Sequence, residues 1–548
     1  MSDTSSSSKI QDSELEELLQ GEFHFRLEDN IQLIEKIIQP SADFQKRDFV
    51  FHEERNLKGV CFFTEGLVNS NQIEDVLKSL MIISPQLNEN LLGPHMLEKL
   101  KDHLMITPGI KVIHKVQEGI DAILSGDTLL LMDRSNKALL ISTKGWNDRS
   151  IGDPTSETII RGPRDGFTEN IRSNTAHVRR RIRDPLLRFD SMVIGTKTKT
   201  DVNIAYIQGT VKEGLVEEVK KRLESIEIDG VLESGYIEEL IEDAPLSPFT
   251  TIQNTERPDK VAAALLEGRV AIFVDNTPYV LIVPSFFWQY IQASDDYYSR
   301  YWVGTFFRIV RYFAFIISLL LPSIYVMLVS FHQEMIPTGL AYTIASGRDV
   351  IPFPILFEAL IMEIVFELMR EAGLRMPKPI GSAVSIVGSL VIGQAAVQAG
   401  IVSPFMVIVV ALTGIASFAI PHYEAAFSIR ILRFPLLIAA GTLGLLGFAA
   451  AFFVTVIHAL SLRSFGEPYL APATPFVPSD QKDIIMRVPW WAMDKKPQFA
   501  QGDSKRSGEN QMPSPPKVNS NQQENSETPK PPKKNRGKRS WRKVKNDE

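Results

Sequence analysis

Residues 306–330, FFRIVRYFAFIISLLLPSIYVMLVS, and residues 434–460, FPLLIAAGTLGLLGFAAAFFVTVIHAL, frame an apolar block that decides how the chain is built. Two more uncharged runs lie between them, IGSAVSIVGSLVIGQAAVQAG (380–400) and IVSPFMVIVVALTGIASFAI (401–420). A run of about 20 apolar residues matches the roughly 30 Å hydrocarbon core of a bilayer. Four such runs predict an integral membrane protein, because soluble core helices rarely run so long without a charge.

One further segment of the block is ambiguous. IPFPILFEALIMEIVFELMREAGLRMP (351–377) is long enough to span, yet carries Glu358, Glu363, Glu367 and Glu371. The last three recur every fourth residue and share one helix face. Two readings stand: a span whose acidic face lines water or a partner, or an amphipathic helix in the interface. The run 380–400 carries a ladder of small residues, Gly381, Ser385, Ser389 and Gly393, the close-packing pattern of membrane helices. Gln394 and Gln398 fall on another face, with Val387 and Val391 near them. That face suits either a pore built from several copies of the helix or plain hydrogen bonding to a neighbouring helix.

Outward from the block, the 548 residues carry a net charge of −6, but unevenly. From Gln501 onward twelve Lys/Arg stand against six Asp/Glu, so the tail is +6 and residues 1–500 are −12. The tail, rich in Pro, Ser, Asn and Lys, has no core to build and is expected to be disordered. The single cysteine, Cys61, rules out an internal disulfide, and its VCFF setting predicts a buried, inert thiol. The first 30 residues lack an apolar stretch of signal-peptide type, so the large N-terminal part is expected on the cytoplasmic side. Arg300, Arg308 and Arg311 at the start of the first span argue the same way.

The N-terminal part has α/β patterning, with a strand at Gly59–Thr64, helices at Glu28–Ile38, Gln72–Leu80 and Val112–Ser125, and a hairpin at Thr128–Met132 and Ala138–Ser142. The pattern returns. Ala122–Ile141 lines up without a gap on Ala264–Val283, placing Gly126 on Gly268 and Asp133 on Asp275. Gly66–Leu80 lines up on Gly209–Leu223. A duplicated subdomain explains this; chance likeness of two helix–strand–turn–strand units is the alternative. The expected division is a leader and helix (1–42), subdomain 1 (43–150), a basic connector (151–186), subdomain 2 (187–293), a helical transmembrane domain (294–465; spans near 306–330, 380–400, 402–420 and 434–460, with 353–371 ambiguous) and a Pro-rich connector with a basic tail (466–548).

In the connector, Arg164 precedes, and Asn170, Arg172, Arg179, Arg180 and Arg181 lie on, a predicted helix at 170–182. A solvated basic face is the plain reading; docking to an acidic partner subunit or anionic lipid is the sharper one. Nucleic acid is not expected, since the region is acidic as a whole. Phosphate-loop, HExxH, CxxC and GxSxG motifs are absent, so an enzyme is not expected and no cofactor or metal is implied. An inverted repeat is missing too, which disfavours a transporter.

Three blocks carry a resemblance: GPRDGFTENIRSNTAHVRRRIRDP, EDAPLSPFTTIQNTERPDKVAAALLEGRVAIFVDNTP and FEALIMEIVFELMREAGLRMPKPIGSAVSIVGSLVIGQAAVQAGIVSP. They resemble the A subunits of the GerA-type spore germinant receptors of Bacillus and its relatives, over roughly Gly59 to Pro478. The resemblance implies a multi-pass protein of the spore inner membrane, working with a permease-like B subunit and a lipoprotein C subunit. It further implies a homo-oligomer that forms an ion-conducting pore, while small nutrients bind mainly the B subunit. On that reading Gln394, Val397, Gln398 and Val391 line the pore, with Glu363 and Glu367 near its entrance.

Overall fold

In a computed structural model, the structure describes residues 12–38, 41–52, 57–83, 97–98, 109–145, 154, 157–375, 393–500, 506 and 511–513. Two five-stranded antiparallel sheets share one strand order. The first, β1-β2-β4-β5-β3, contains β1 (Phe44–His52), β2 (Leu57–Thr64), β3 (Ile110–Ile113), β4 (Thr128–Met132) and β5 (Ala138–Ile141). The second, β6-β7-β9-β10-β8, contains β6 (Leu187–Ile194), β7 (Thr200–Ile207), β8 (Gln253–Thr255), β9 (Val270–Val274) and β10 (Val280–Val283). The central strands β4 (TLLLM) and β9 (VAIFV) are buried at every position. An unbroken apolar strand of this kind belongs between two covered faces.

Helices cover those faces. In the first half they are α1 (Asp12–Gln20), α2 (Leu27–Ile38), α3 (Ser70–Ile83) and α4 (Val116–Leu124); in the second, α5 (Ile171–Arg181), α6 (Leu215–Glu224), α7 (Ser234–Ile241) and α8 (Pro258–Leu266). Three of them correspond between the halves, α2 to α5, α3 to α6 and α4 to α8. Leu129 packs with Ile34 of α2 and Ile120 of α4, while its neighbour Leu130 packs with Val76 of α3. Ala271 packs with Val178 of α5 and Val261 of α8, while Ile272 packs with Val219 of α6.

The correspondence reaches single hydrogen bonds. Gly126 and Gly268 both adopt positive φ, +90° and +86°, and Arg134 and Asn276 do so at +65° and +67°. Asp133 accepts from Leu27 N as Asp275 accepts from Ile171 N, each tying a hairpin turn to the start of a helix. The Asn30 side chain exchanges two hydrogen bonds with the backbone of His24, and Asn174 does the same with Thr168. Thus α2 and α5, outside the two subdomains in the sequence-based division, occupy equivalent places in the repeated unit. The helix expected over Val112–Ser125 is instead strand β3 followed by α4, since Ile110 and Val112 pair with Ile141 and Leu139.

The apolar block forms a helical bundle of α9 (Tyr301–Phe331), α10 (Thr338–Ser346), α11 (Ile355–Arg375), α12 (Pro404–Phe418) and α13 (Tyr423–Ser461), with residues 393–398 also helical. Two of these, α9 and α13, are long and apolar enough to cross a membrane. Large apolar side chains stand exposed on both, among them Trp302, Phe306 and Phe313, and Leu446, Phe453 and Val454. The run 434–460, expected to be one span, is divided at Gly444, whose φ of +61° and ψ of −138° leave the helical region. Both ends of α13 touch the second sheet domain: His422 and Glu424 meet Gln253 and Asn254, and His458 meets Ser247. Its middle touches Phe331 and His332 at the far end of α9. α13 is therefore a helical hairpin whose two arms leave the sheets and return.

Candidate functional site

The bundle's interior is organised by charge. Glu363 on α11 lies 2.6 Å from Arg433 on α13, and both are almost fully buried. Arg433 also donates to the backbone oxygen and the hydroxyl of Ser318 on α9, at 2.8 and 3.0 Å, so three helices meet at one guanidinium. One turn along, Glu367 pairs with Arg430 at 2.8 Å. At the distal end, buried Glu358 receives Arg348 at 2.8 Å and the backbone N–H and hydroxyl of Ser403, which caps α12. At the sheet end, Arg370 lies over the rings of Phe418 and Tyr423, 4.9 and 5.6 Å from their centres. The order Glu358, Glu363, Glu367, Arg370 thus runs the length of the bundle, antiparallel to α9. Buried ion pairs of this kind fix which helices meet and in which register, more than they add net stability. Several polar atoms along this seam have no partner among the described residues, including one oxygen each of Glu363 and Glu367 and the hydroxyl of Ser323.

The bundle is bolted to the second sheet by a buried polar cluster at the start of α13. Lys260 Nζ and Gln253 Nε2 lie 2.6 and 3.2 Å from His422 Nε2. Both are donors, so Nε2 accepts and the ring proton sits on Nδ1, 3.7 Å from Glu157. Glu157 also receives Lys260 and Thr255. Burial and the Lys260 ammonium push His422 down to about 3, so it stays neutral across the physiological range. Beside it lies a cavity of about 350 Å³ lined by Glu233, Glu238, Asn254 and Glu424. Burial and the neighbouring Glu424, Glu242 and Glu233 raise Glu238 to about 9. A second bolt holds the base of α9, where Arg308 reaches Asp296 at 3.2 Å and Asp483 at 2.8 Å. Arg308 and Arg311, expected to mark the cytoplasmic side, are thus buried in ion pairs.

Gly393 is buried, Gln394 and Gln398 are exposed, and Val397 packs partly into the bundle core beside Val402 and Met406. Gly381, Ser385, Ser389 and Val391 lie outside the described residues. Glu363 and Glu367 face Arg433 and Arg430 within the chain rather than an open surface. The basic helix is largely a structural joint. Arg179, 1% exposed, bonds Asp43, Ser41 and the carbonyls of Asp184 and Leu187. Asn170 caps α5 through Arg172 N and Ser173 N. Arg172 pairs with Glu65, Arg181 pairs with Asp165 at 2.5 Å, Arg180 is half-buried, and Arg164 is exposed. Sequence reasoning missed Arg188, which is buried and bonds the last carbonyls of α2, Ile37 and Ile38, at the negative end of that helix. It missed the His422 cluster as well; a lone His ahead of an apolar run gives little signal. Cys61 is buried, and burial lifts its thiol to about 12.

Comparison with known proteins places these features in a family. The profile of the Bacillus/Clostridium GerA spore germination protein matches residues 32–499. Spore germination protein KA of Bacillus subtilis (strain 168) is 45% identical over 487 residues, covering 89% of each chain. Spore germination protein A1 of the same strain is 38% identical, covering 86% of this chain and 95% of its own. The membrane protein YfkQ of that strain, whose function is uncharacterized, is 46% identical, covering 89% and 94%. Among solved structures, the N-terminal domain of the A subunit of the Bacillus megaterium spore germinant receptor GerK3 matches at 38% identity with a TM-score of 0.40, covering 49% of this chain and 98% of its own. This chain belongs to the GerA spore germination protein family.

Proposed function

We propose that the chain is a membrane subunit of a spore germinant receptor, and that copies of it assemble around an ion-conducting pore. The observation that carries this reading is the pair Gln394 and Gln398, exposed on a short helix (393–398) that buries Gly393 against the bundle. A polar face left uncovered on a membrane helix needs water or a partner. A ring of copies supplies both. Counted as crossings, α9, α11, the apolar run 380–400, α12 and the two arms of α13 cross six times, which would return the basic tail to the side of the sheets, as the positive-inside tendency favours. On this reading the protein sits in the spore inner membrane with its sheet domains in the cytoplasm. A permease-like B subunit that binds the nutrient and a lipoprotein C subunit complete the receptor.

Ligand binding in the partner would shift a closed–open equilibrium through the His422 and Arg308 bolts. The test is ion efflux from liposomes holding the purified chain, alone and with its partner subunits. Gln398→Arg and Val397→Trp should change efflux severalfold. Efflux identical to the parent in both variants refutes the pore. A chain that conducts nothing yet restores germination would establish the second reading, a non-conducting relay.

A further inference from the structure

Below the second sheet, where the chain after α13 folds back against the aromatic segment leading into α9, lies a cavity of about 590 Å³ that the pore reading does not use. Its size is that of a small-molecule site. Phe286, Trp288 and Phe499 give it apolar walls. Arg269 lines it and is 6% exposed. Its two terminal nitrogens are occupied, by Gln289 at 2.7 Å and Glu267 at 3.1 Å, but its Nε has no partner among the described residues. A buried guanidinium N–H without an acceptor is costly, and a ligand oxygen would relieve that cost. The rings of Phe286 and Phe499 flank the guanidinium, each 5.8 Å away, and leave its edge for such an oxygen.

Charge narrows the ligand class. Five carboxylates line the wall: Glu467 pairs with Lys212, Glu267 with Arg269 and Arg506, and Asp483 with Arg308, while Asp480 accepts from Ser479 Oγ and Gln498 N, and Glu213 is the fifth, so four cations stand against five carboxylates. The cavity therefore offers both signs with little net field, which favours neither a free anion nor a free cation. In the first half Asp127 stands where Arg269 does and pairs with Lys144 at 3.2 Å.

We propose that this cavity binds a small zwitterion, of zero net charge, which gives a carboxylate oxygen to Arg269 and an apolar chain to Phe286, Trp288 and Phe499. Asp483 and Tyr297 also line the cavity, and both hold the base of α9: Asp483 through Arg308, Tyr297 through its 2.6 Å bond to Asp483. An occupant would therefore act on the first long helix. The site is independent of whether the chain conducts ions.

Calorimetric titration of the purified full chain tests it with three six-carbon probes: norleucine, hexanoate and hexylammonium. Norleucine should bind saturably and the two charged probes at least tenfold more weakly. Arg269→Met and the cavity-filling Ala471→Phe should each weaken norleucine at least tenfold while the melting temperature of Ala471→Phe stays at the parent value. Failure of norleucine to bind in the millimolar range, equal binding of either charged probe, or unchanged binding to Ala471→Phe overturns the proposal. If Arg269→Met fails to fold, the Ala471→Phe result decides.

Discussion

Arg179 of α5 grips Asp43 with two nitrogens, Nε at 2.8 Å and Nη2 at 3.0 Å, across 136 residues of chain. Asp43 stands at the entrance to β1 of the first sheet, so this ion pair fastens one copy of the duplicated unit to the other. Ala42 N, which donates to Phe189 O of β6 at 2.7 Å, continues the joint.

Removing one partner of this pair leaves the other charge buried alone. Arg179→Met should destabilise the N-terminal region by about 3–5 kcal/mol. Arg180→Met, on a half-buried neighbour, should cost under about 1 kcal/mol. Chemical unfolding followed by circular dichroism compares the two; equal losses would mean the joint does not carry this load.

The bundle's ion pair invites a double-mutant cycle. Glu363→Gln and Arg433→Met should each lower the melting temperature of the purified protein. The double variant should recover part of the loss, with a coupling of about 0.5–3 kcal/mol, because no charge is then left alone. Strictly additive losses would refute direct coupling.

Glu238 makes the junction sensitive to base. Its carboxyl is raised from 4.5 to about 9, so the fold holds a proton that the unfolded chain releases. Its contribution is complete below pH 4.5 and is lost as pH rises toward 9. Glu238→Gln should leave stability at pH 4 unchanged and raise it near pH 8. Half-burial limits the gain to about 1–2 kcal/mol. Melting curves across that range check the sign; a gain at acid pH instead would contradict it.

Equivalent glycines should fail equivalently. A Cβ on Gly126 would meet Leu67 O at 2.8 Å and one on Gly268 would meet Thr210 O at 2.6 Å, both at positive φ. Each Gly→Ala change should cost at least about 1–2 kcal/mol. A Gly209→Ala control has positive φ but open space, and should cost less. Thermal unfolding of the three variants ranks them.

How far the sequence was legible follows the range of the interactions. Gly126 on Gly268 and Asp133 on Asp275 are local turn requirements, written at fixed spacing, and they led to the duplicated sheets. The pairing of α2 with α5 was also written there, as Asn30 against Asn174, but these helices differ in composition and only the shared asparagine marks them. The arginines of α5 looked like surface because a charge is usually solvated; Asp43, which buries Arg179, is far away in the chain. The Glu stripe of α11 was visible as a stripe, but its partners Arg430 and Arg433 lie on another helix. The reversal at Gly444 was hidden because one glycine among several in an apolar run has no distinguishing neighbours.

The pairing of Glu363 with Arg433 has a consequence for how the protein is made. On the proposed reading α11 crosses the bilayer, where a charge left alone costs about 2.5–3.5 kcal/mol. Seventy residues separate the two, so α11 leaves the ribosome well before its neutralising partner exists. Helix-by-helix integration would strand it. The segment from α11 to the first arm of α13 should therefore enter the bilayer as a single unit, and chains stopped before Tyr423 should release α11 to the aqueous side while the complete chain retains it.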